Sequence, residues 1–280
     1  MAGLLYIVPT PIGNLEDITL RALRVLKEVD LIAAEDTRHS QHLLTHYGIK
    51  TALTSYHEHN ERDKAAVLVE RIKHGANIAL ISDAGTPAIS DPGFRLVVAA
   101  IDAGINIVPL PGPSALATVL SASGLPSDRF AFEGFLPAKK LERKSRLQAL
   151  VEVTSSLIFY EAPHRLHETL GAMLELLGDR PIVVAREVSK VHEEFLRGTV
   201  SQVIARLADR EIKGEITLVV HGSSGEPRVS QAQLRAEIEG LIDAKTAVKD
   251  IAELLGERYQ MPKREVYRLA LEFKSAPRTK

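Results

Sequence analysis

Two loops rich in glycine and proline, each entered from a short apolar run and followed by a helical pattern, constrain this chain more than any other feature. The first is Ser82-Asp83-Ala84-Gly85-Thr86-Pro87-Ala88-Ile89-Ser90-Asp91-Pro92-Gly93, behind Ile78-Ala79-Leu80-Ile81. The second is Pro109-Leu110-Pro111-Gly112-Pro113-Ser114-Ala115, behind Ile107-Val108. An apolar run of strand length that passes through a loop into a helix is the unit of an open α/β sheet, where ligands bind beyond the carboxyl ends of the strands. Glycine and proline at those ends let main-chain N–H and C=O groups approach a ligand without intervening side chains.

The rest of the first half keeps this rhythm. Leu4 to Val8 reads as a strand, 18–27 as a helix, and Leu31-Ile32-Ala33-Ala34 as a strand ending in Glu35-Asp36-Thr37-Arg38. Residues 60–74, 94–103 and 113–123 carry helical patterns, with 77–81 and 105–108 as strands. Such alternation predicts a mostly parallel sheet. The second half reads as another α/β lobe with a mixed sheet, built on runs at 130–134, 156–160, 182–186 and 215–220, with 193–200 pairing antiparallel to a neighbour. After the turn-rich stretch His221 to Pro227, residues 230–274 read as three short helices. The fold class is therefore α/β. We expect two α/β lobes with a ligand cleft between them, at 1–112 and 113–225, and a small helical module at 226–280.

Charge narrows the partners. With 35 basic and 36 acidic residues the formal net charge is −1, so any attraction to nucleic acid has to come from local patches. There are no cysteines, which excludes disulfides and thiolate metal sites. The start, Met1-Ala2-Gly3-Leu4-Leu5-Tyr6-Ile7-Val8-Pro9, lacks a basic flank and reads as a first strand, and no run approaches the ~20 apolar residues of a membrane span. The expectation is a cytoplasmic protein without a membrane partner. No GxxxxGK[ST] or GxGxxG follows a strand, and GxSxG is missing, which argues against a P-loop enzyme, a dinucleotide dehydrogenase and a serine hydrolase. Tyr56-His57-Glu58-His59-Asn60-Glu61 has the wrong spacing for a helical metal motif. His57 and His59 read as two polar loop histidines, and no metal site is expected.

Seven ordered segments, spread over residues 4–221, resemble the tetrapyrrole-methylase superfamily, in its branch that methylates ribosomal RNA. They are Pro9 to Asp17, Ala34 to Arg38, Ser55 to Glu61, Ser82 to Gly93, Pro111 to Ala115, Phe159-Tyr160-Glu161-Ala162-Pro163-His164-Arg165 and Ala185-Arg186-Glu187-Val188-Ser189-Lys190. The resemblance implies 2′-O-methylation of a cytidine in 16S rRNA of the small ribosomal subunit, with S-adenosyl-L-methionine as donor, two lobes around that donor and a homodimer. The missing glycine fingerprint agrees with this family.

The loop chemistry suits such a donor, which carries no phosphate but offers an adenine edge, a ribose diol, a zwitterionic end and a sulfonium. Backbone groups of Ala84, Gly85, Ala88, Ile89 and Ala115 can meet these edges, with Pro11 on the neighbouring loop. Asp83 can accept from a hydroxyl or ammonium. Ser114 is either a helix cap or a ligand contact. Tyr160 and Ala185 would flank the adenine, with Thr217 facing them. For chemistry, Glu35 and Asp36 are candidate proton acceptors and Arg38 a phosphate anchor; the alternative for these three is a helix start. Glu161, His164, Arg165, Arg186, Glu187 and Lys190 are further candidates, Glu187 and Lys190 foremost, against the alternative of a surface ion-pair set. Lys139, Lys140, Arg143, Lys144 and Arg146 form a basic run suited to RNA phosphates, and a second basic run spans 258–280. Two other readings share these features: a methylase of a tetrapyrrole precursor, and a non-catalytic RNA-binding assembly factor.

Overall fold

The computed structural model describes residues 2–225, 231–259 and 261–275. They divide into two compact units. One holds Met1–Val151 with Ser155–Gly222, the other Glu152–Thr154 with Ser223–Lys280.

The larger unit contains two five-stranded sheets. The first is built from β1 (Leu5–Ile7), α1 (Leu20–Glu28), β2 (Leu31–Ala34), α2 (Thr37–His46), β3 (Leu53–Ser55), α3 (Glu61–Lys73), β4 (Ile78–Ile81), α4 (Phe94–Asp102) and β5 (Ile107–Pro109). Its strand order is β3-β2-β4-β1-β5, and every pairing is parallel. β2 and β4 are buried at every position, as expected of inner parallel strands covered on both faces, which is why they read as unbroken apolar runs. Two apolar layers result. Leu5, Leu31, Leu68, Ile72, Ile78 and Leu80 pack on one face, Val8, Leu26, Ile32, Leu44 and Ile81 on the other.

The second sheet follows α5 (Ala115–Ser123) and comprises β6 (Phe130–Phe135), α6 (Lys140–Ala149), β7 (Ser156–Glu161), α7 (Leu166–Leu177), β8 (Pro181–Arg186), β9 (Glu194–Thr199), α8 (Val200–Leu207) and β10 (Ile216–Val220). Its order is β6-β7-β10-β8-β9. Only β6–β7 is parallel, so the sheet is mixed. Gly124 ends α5 in the left-handed conformation that glycine adopts without a Cβ penalty.

Between the lobes, the loop after β1 meets the loop after β8. A Cβ on Gly13 would lie 2.4 Å from Lys190 Cγ and 3.1 Å from the Ser189 carbonyl, and the Ser189 hydroxyl donates to the Asp17 carboxylate.

The smaller unit is a three-helix module of α9 (Gln231–Asp243), α10 (Val248–Arg258) and α11 (Lys263–Ser275), packed on Leu234, Ile238, Ile251, Leu255, Val266 and Ala270. Of its basic run, Arg258 pairs with Glu237 at 2.9 Å and Lys263 with Glu253 at 2.7 Å. Arg278 and Lys280 lie outside the described residues.

The helix start weighed for Glu35 to Arg38 is present: Asp36 caps α2, which runs from Thr37 to His46. His57 to Asn60 is a turn into α3: the Asn60 side chain accepts from the His57 N–H at 3.0 Å, and the Asn60 N–H donates to the His57 carbonyl at 2.9 Å, the turn hydrogen bonding typical of Asn.

Arg180 anchors the second lobe. It is 1% exposed and donates to the carbonyls of Leu177 (2.9 Å), Val151 (2.5 Å) and His221 (3.4 Å). Removing the donor strands buried acceptors, each costing about 1–3 kcal/mol. Arg180→Met is expected to lower the unfolding free energy by about 3 kcal/mol or more in urea titrations; an unchanged midpoint would remove Arg180 from this role.

Candidate functional site

Three loops at the carboxyl ends of the parallel strands are tied into one rim. The loops after β1 and β4 pair reciprocally: the Thr10 N–H donates to the Gly85 carbonyl and the Gly85 N–H to the Thr10 carbonyl, both at 2.9 Å. The Thr10 hydroxyl donates to the Ser82 carbonyl at 3.0 Å. The Thr86 hydroxyl donates to the Pro113 carbonyl at 3.0 Å, bringing in the loop after β5. Gly85 has φ +79°, which glycine adopts at no cost. Gly112 lies so near Pro9 that a Cβ would approach it to 2.7 Å.

Inside this rim lies a cavity of about 360 Å³. From the first lobe Ile12, Ala84, Gly85, Thr86, Ile89 and Asp91 line it, and from the second Ser114, Ala115, Phe135, Tyr160 to Pro163 and Gly214 to Thr217. Its walls are largely apolar with a few polar groups, the usual make-up of a small-molecule site. Ser114 occupies the N-cap of α5, yet its side chain makes no capping hydrogen bond, so the hydroxyl is not committed to the helix. Thr217 is paired across the sheet with Tyr160 on one side and Ala185 on the other. Glu161, 2% exposed, accepts from the Thr169 hydroxyl at 2.5 Å and the Ala162 N–H at 2.8 Å, which fixes the wall at Ala162 and Pro163.

The first-lobe rim is acidic. Burial raises the Glu35 carboxyl above its ordinary range, helped by the negative charge of Asp83. Burial also pushes the Asp91 carboxyl up to about 6, with Glu35 and Asp83 adding to the shift. Among the described residues none of Glu35, Asp83 and Asp91 forms an ion pair. Asp83 accepts the Asp36 N–H at 3.1 Å. Asp36 itself caps α2, accepting the Arg38 N–H at 2.8 Å, and that hydrogen bond holds its carboxyl below the usual range.

Across from these acids sits a pinned cation. The Lys190 ammonium lies 2.9 Å from Glu187 and 3.1 Å from Glu215. Burial works against that charge, but the two hydrogen bonds outweigh it and hold its pKa above the ordinary lysine value. The Glu187 carboxyl is partly desolvated, yet the Glu215 N–H and Lys190 bring its pKa down. Glu187 also requires the glycine at 214, where a Cβ would meet its carboxyl carbon at 2.3 Å.

Measured against the sequence reading, the cavity gathers Ala84, Gly85, Ile89, Ser114, Ala115, Tyr160 and Thr217. Pro11, Asp83 and Lys190 line a neighbouring chamber instead. Ala88 lines neither; at φ +67° it packs under Gly93 and shapes the loop. Ala185 lies in the same sheet row as Tyr160 and Thr217 and is fully buried beside Ile12 and Ala115, without itself lining the cavity. Glu35 borders neither space, and Arg38, its side chain 90% exposed, stands over a shallow hollow with His42 and Ser55. Arg186 is tied to Glu194 at 3.2 Å, and Arg165 donates to the Leu136 and Pro137 carbonyls.

In the basic run Arg143 is corrected outright, because it is 3% exposed and bound to Glu168 at 2.8 Å. Lys144 pairs with Glu175 at 2.6 Å, Arg146 with Glu133, and Lys139 with Glu142 at 2.9 Å, while Lys140 is exposed. Asp91, Ile12, Phe135 and the Gly214–Ile216 turn were not singled out from sequence. Only Asp91 had a signal, as the second acid of the first glycine-rich loop.

A carboxyl with a raised folded pKa adds stability at low pH that is lost as pH climbs through that value. The Asp91 contribution is therefore lost as pH rises through about 6. Asp91→Asn is expected to raise stability at pH 7.5 by about 1 kcal/mol after allowance for solvent screening. It should also flatten the melting-temperature profile between pH 5 and 7.5; a profile parallel to the unsubstituted protein's would contradict the placement.

The sequence profile of the tetrapyrrole (corrin/porphyrin) methylases matches residues 4–204. Ribosomal RNA small subunit methyltransferase I of Haemophilus influenzae is 50% identical over 97% of this chain and 97% of that protein. The Vibrio cholerae protein of the same name is 49% identical over 97% and 95%. Among solved structures, uroporphyrin-III-C-methyltransferase from Thermus thermophilus superposes with a TM-score of 0.56 at 23% identity, covering 78% of this chain and 94% of that one. The methyltransferase CobJ gives 0.60 at 20% identity, covering 82% and 98%. These two likenesses speak for the two-sheet fold alone. The chain belongs to the tetrapyrrole (corrin/porphyrin) methylase family, in the branch of the ribosomal RNA small subunit methyltransferase I proteins.

Proposed function

We propose that this chain methylates the 2′-hydroxyl of a cytidine in 16S rRNA of the small ribosomal subunit, using S-adenosyl-L-methionine. The observation that carries the reading is the cavity at the strand ends, rimmed by the main-chain loops at Gly85 and Ser114. The names of the relatives and their identity over nearly the whole chain support the substrate.

The residues fit the donor. Ile12, Ile89, Phe135 and Tyr160 offer apolar surface for an adenine, and the uncommitted Ser114 hydroxyl and the Asp91 carboxyl offer polar contacts. Unpaired acids beside the cavity favour a cationic ligand. When bound, the donor supplies an electrophilic methyl group on a sulfonium. Lys190 is held protonated by two carboxylates, so its part is to stabilise negative charge developing on the acceptor oxygen and not to take the proton. Asp83 lines the same chamber as that lysine and, among the described residues, pairs with no cation; it is assigned as proton acceptor. Glu187 positions Lys190, and Asp36 positions α2.

In this reading residues 1–112 and 113–225 are the lobes of the catalytic body and 226–280 an appended module. Lys139 and Lys140, exposed at the start of α6, serve RNA phosphates, and Arg38 is a further phosphate anchor. A second copy of the chain is the proposed partner. The exposed stripe of Phe94, Val98 and Ile101 on α4, at helical spacing, offers a face for it. The compartment is the cytoplasm, where the RNA substrate resides.

Calorimetric titration should show S-adenosyl-L-methionine binding. Labelled methyl should appear in small-subunit RNA at a ribose that then resists alkaline cleavage. Binding without transfer to RNA, but with transfer to a tetrapyrrole, would replace this reading with the tetrapyrrole one, and no donor binding would favour an assembly factor. Lys190→Met is expected to cut kcat at least ~100-fold while donor affinity stays within about twofold, with partial recovery in Lys190→Arg. Reversing charge at Lys139 and Lys140 should raise KM for the RNA substrate, most at low salt and by less as salt rises; an unaltered KM would make this run a solvated face.

A further inference from the structure

The donor cavity has a larger neighbour. A chamber of about 520 Å³ opens beside it and shares Ile12, Ala84 and Glu215 as a common wall. Leu15 and Leu43 give the chamber an apolar floor, and α2 forms one side with His39, His42 and His46. On a 3.6-residue helix these three positions fall within about 60° of one another. All three are exposed, and among the described residues the imidazole rings of His39 and His42 make no hydrogen bond or ion pair. Helix α2 has its own apolar anchor in Leu44, 1% exposed, so the imidazole row is not required for packing.

The chemistry is graded across the chamber. Its far side is flat-ring and apolar, and its near side is polar, with Asp83 and the pinned Lys190. A ribonucleoside has the same grading, a planar base joined to a hydroxyl-bearing sugar. A ribose hydroxyl inside a folded RNA is not free to reach an enclosed donor, and enzymes with this problem take the nucleotide out of its stack. Proteins that read single-stranded RNA stack the splayed base on aromatic side chains, histidine among them. The volume falls in the range of small-molecule pockets. Beyond His42, which borders both spaces, the hollow under Arg38 continues the path outward and places its exposed guanidinium, 3.5 Å from Asp36, where the strand's phosphate would leave.

We propose that this chamber is the acceptor pocket: a single nucleotide, splayed out of the RNA, stacks its base on the α2 imidazoles above Leu15 and Leu43 and turns its ribose toward Lys190 and Asp83 at the wall shared with the donor cavity. The proposal rests on the methyl-transfer reading and adds the residues that hold the acceptor. It makes His39 and His42 binding residues with no part in the donor site.

The test uses the full-length double variant His39→Ala/His42→Ala and a short single-stranded ribo-oligonucleotide carrying a fluorescent cytidine analogue at its centre. Base–aromatic stacking is worth about 1–3 kcal/mol per base. Oligonucleotide affinity should therefore fall roughly 5- to 100-fold, and KM for small-subunit RNA should rise in step. The melting temperature and the calorimetric affinity for S-adenosyl-L-methionine should stay those of the unsubstituted protein. His42→Tyr, which keeps a stacking ring, should recover most of the loss. Oligonucleotide affinity and KM both within twofold of the unsubstituted protein, with donor binding intact, would overturn the proposal. If the unsubstituted protein binds the donor but methylates no RNA, the functional reading itself fails and the pocket assignment falls with it.

Discussion

Two hydrogen bonds between Thr10 and Gly85 carry the site. They join the ends of strands that neighbour each other in the sheet but are separated by some seventy residues in the chain, and they do so with backbone groups alone. Loops at the ends of parallel strands otherwise have no ladder to continue and would be free to splay. Here an isolated antiparallel bridge joins the two loops just past the parallel β1 and β4, and the Thr86 hydroxyl passes the tie on to Pro113. The rim is thus clamped a few residues beyond the sheet's buried strands, which fix where its loops begin. A cavity edged by main chain must be organised this way, because a displaced loop would remove donors and acceptors from the ligand together.

Charges around the site divide into two groups with opposite treatment. Lys190 and Glu187 are neutralised by each other and by Glu215, and their positions are over-determined. Glu35, Asp83 and Asp91 crowd together without a cation, and burial moves the Glu35 and Asp91 carboxyls toward the protonated form. Leaving like charges uncompensated costs folding free energy, and such strain is kept mainly where a ligand resolves it. The basic run at 139–146 shows the reverse economy. Its net excess of positive charge is evident, yet Arg143, Lys144 and Arg146 are spent on Glu168, Glu175 and Glu133. Composition reports how many cations a segment has, whereas only geometry reports how many are left over.

Much of this architecture is legible in the residues. Buried parallel strands announce themselves as unbroken apolar runs, so β2 and β4 are readable, and β6 is readable from the two-residue alternation of Phe130, Phe132 and Gly134. Gly85 and Ser114 were readable as ligand-facing because turn residues at strand ends have few other uses. Other features were not. Helix α2 is hidden because Thr37 to His46 is rich in polar residues, and its helical state comes from the Asp36 cap and from Leu44 docking into the core. Ala185 and Thr217 pair directly in the sheet and share a face, yet only Thr217, nearer the strand-end loops in space, reaches the cavity wall, a difference that local sequence does not encode. Arg143 and Lys140 look alike on paper, but Lys140 stands exposed at the first position of α6, whereas Arg143, one turn further in, is held by Glu168 and the Ala138 carbonyl.

Gly13 adds a last point. Where the lobes touch behind the two chambers, the spacer at this position is a single hydrogen atom, with a lysine methylene and a serine carbonyl already at van der Waals range. Any larger substituent would act as a wedge. The separation between the halves, and hence the width of everything enclosed by them, is set to the thickness of a bare backbone.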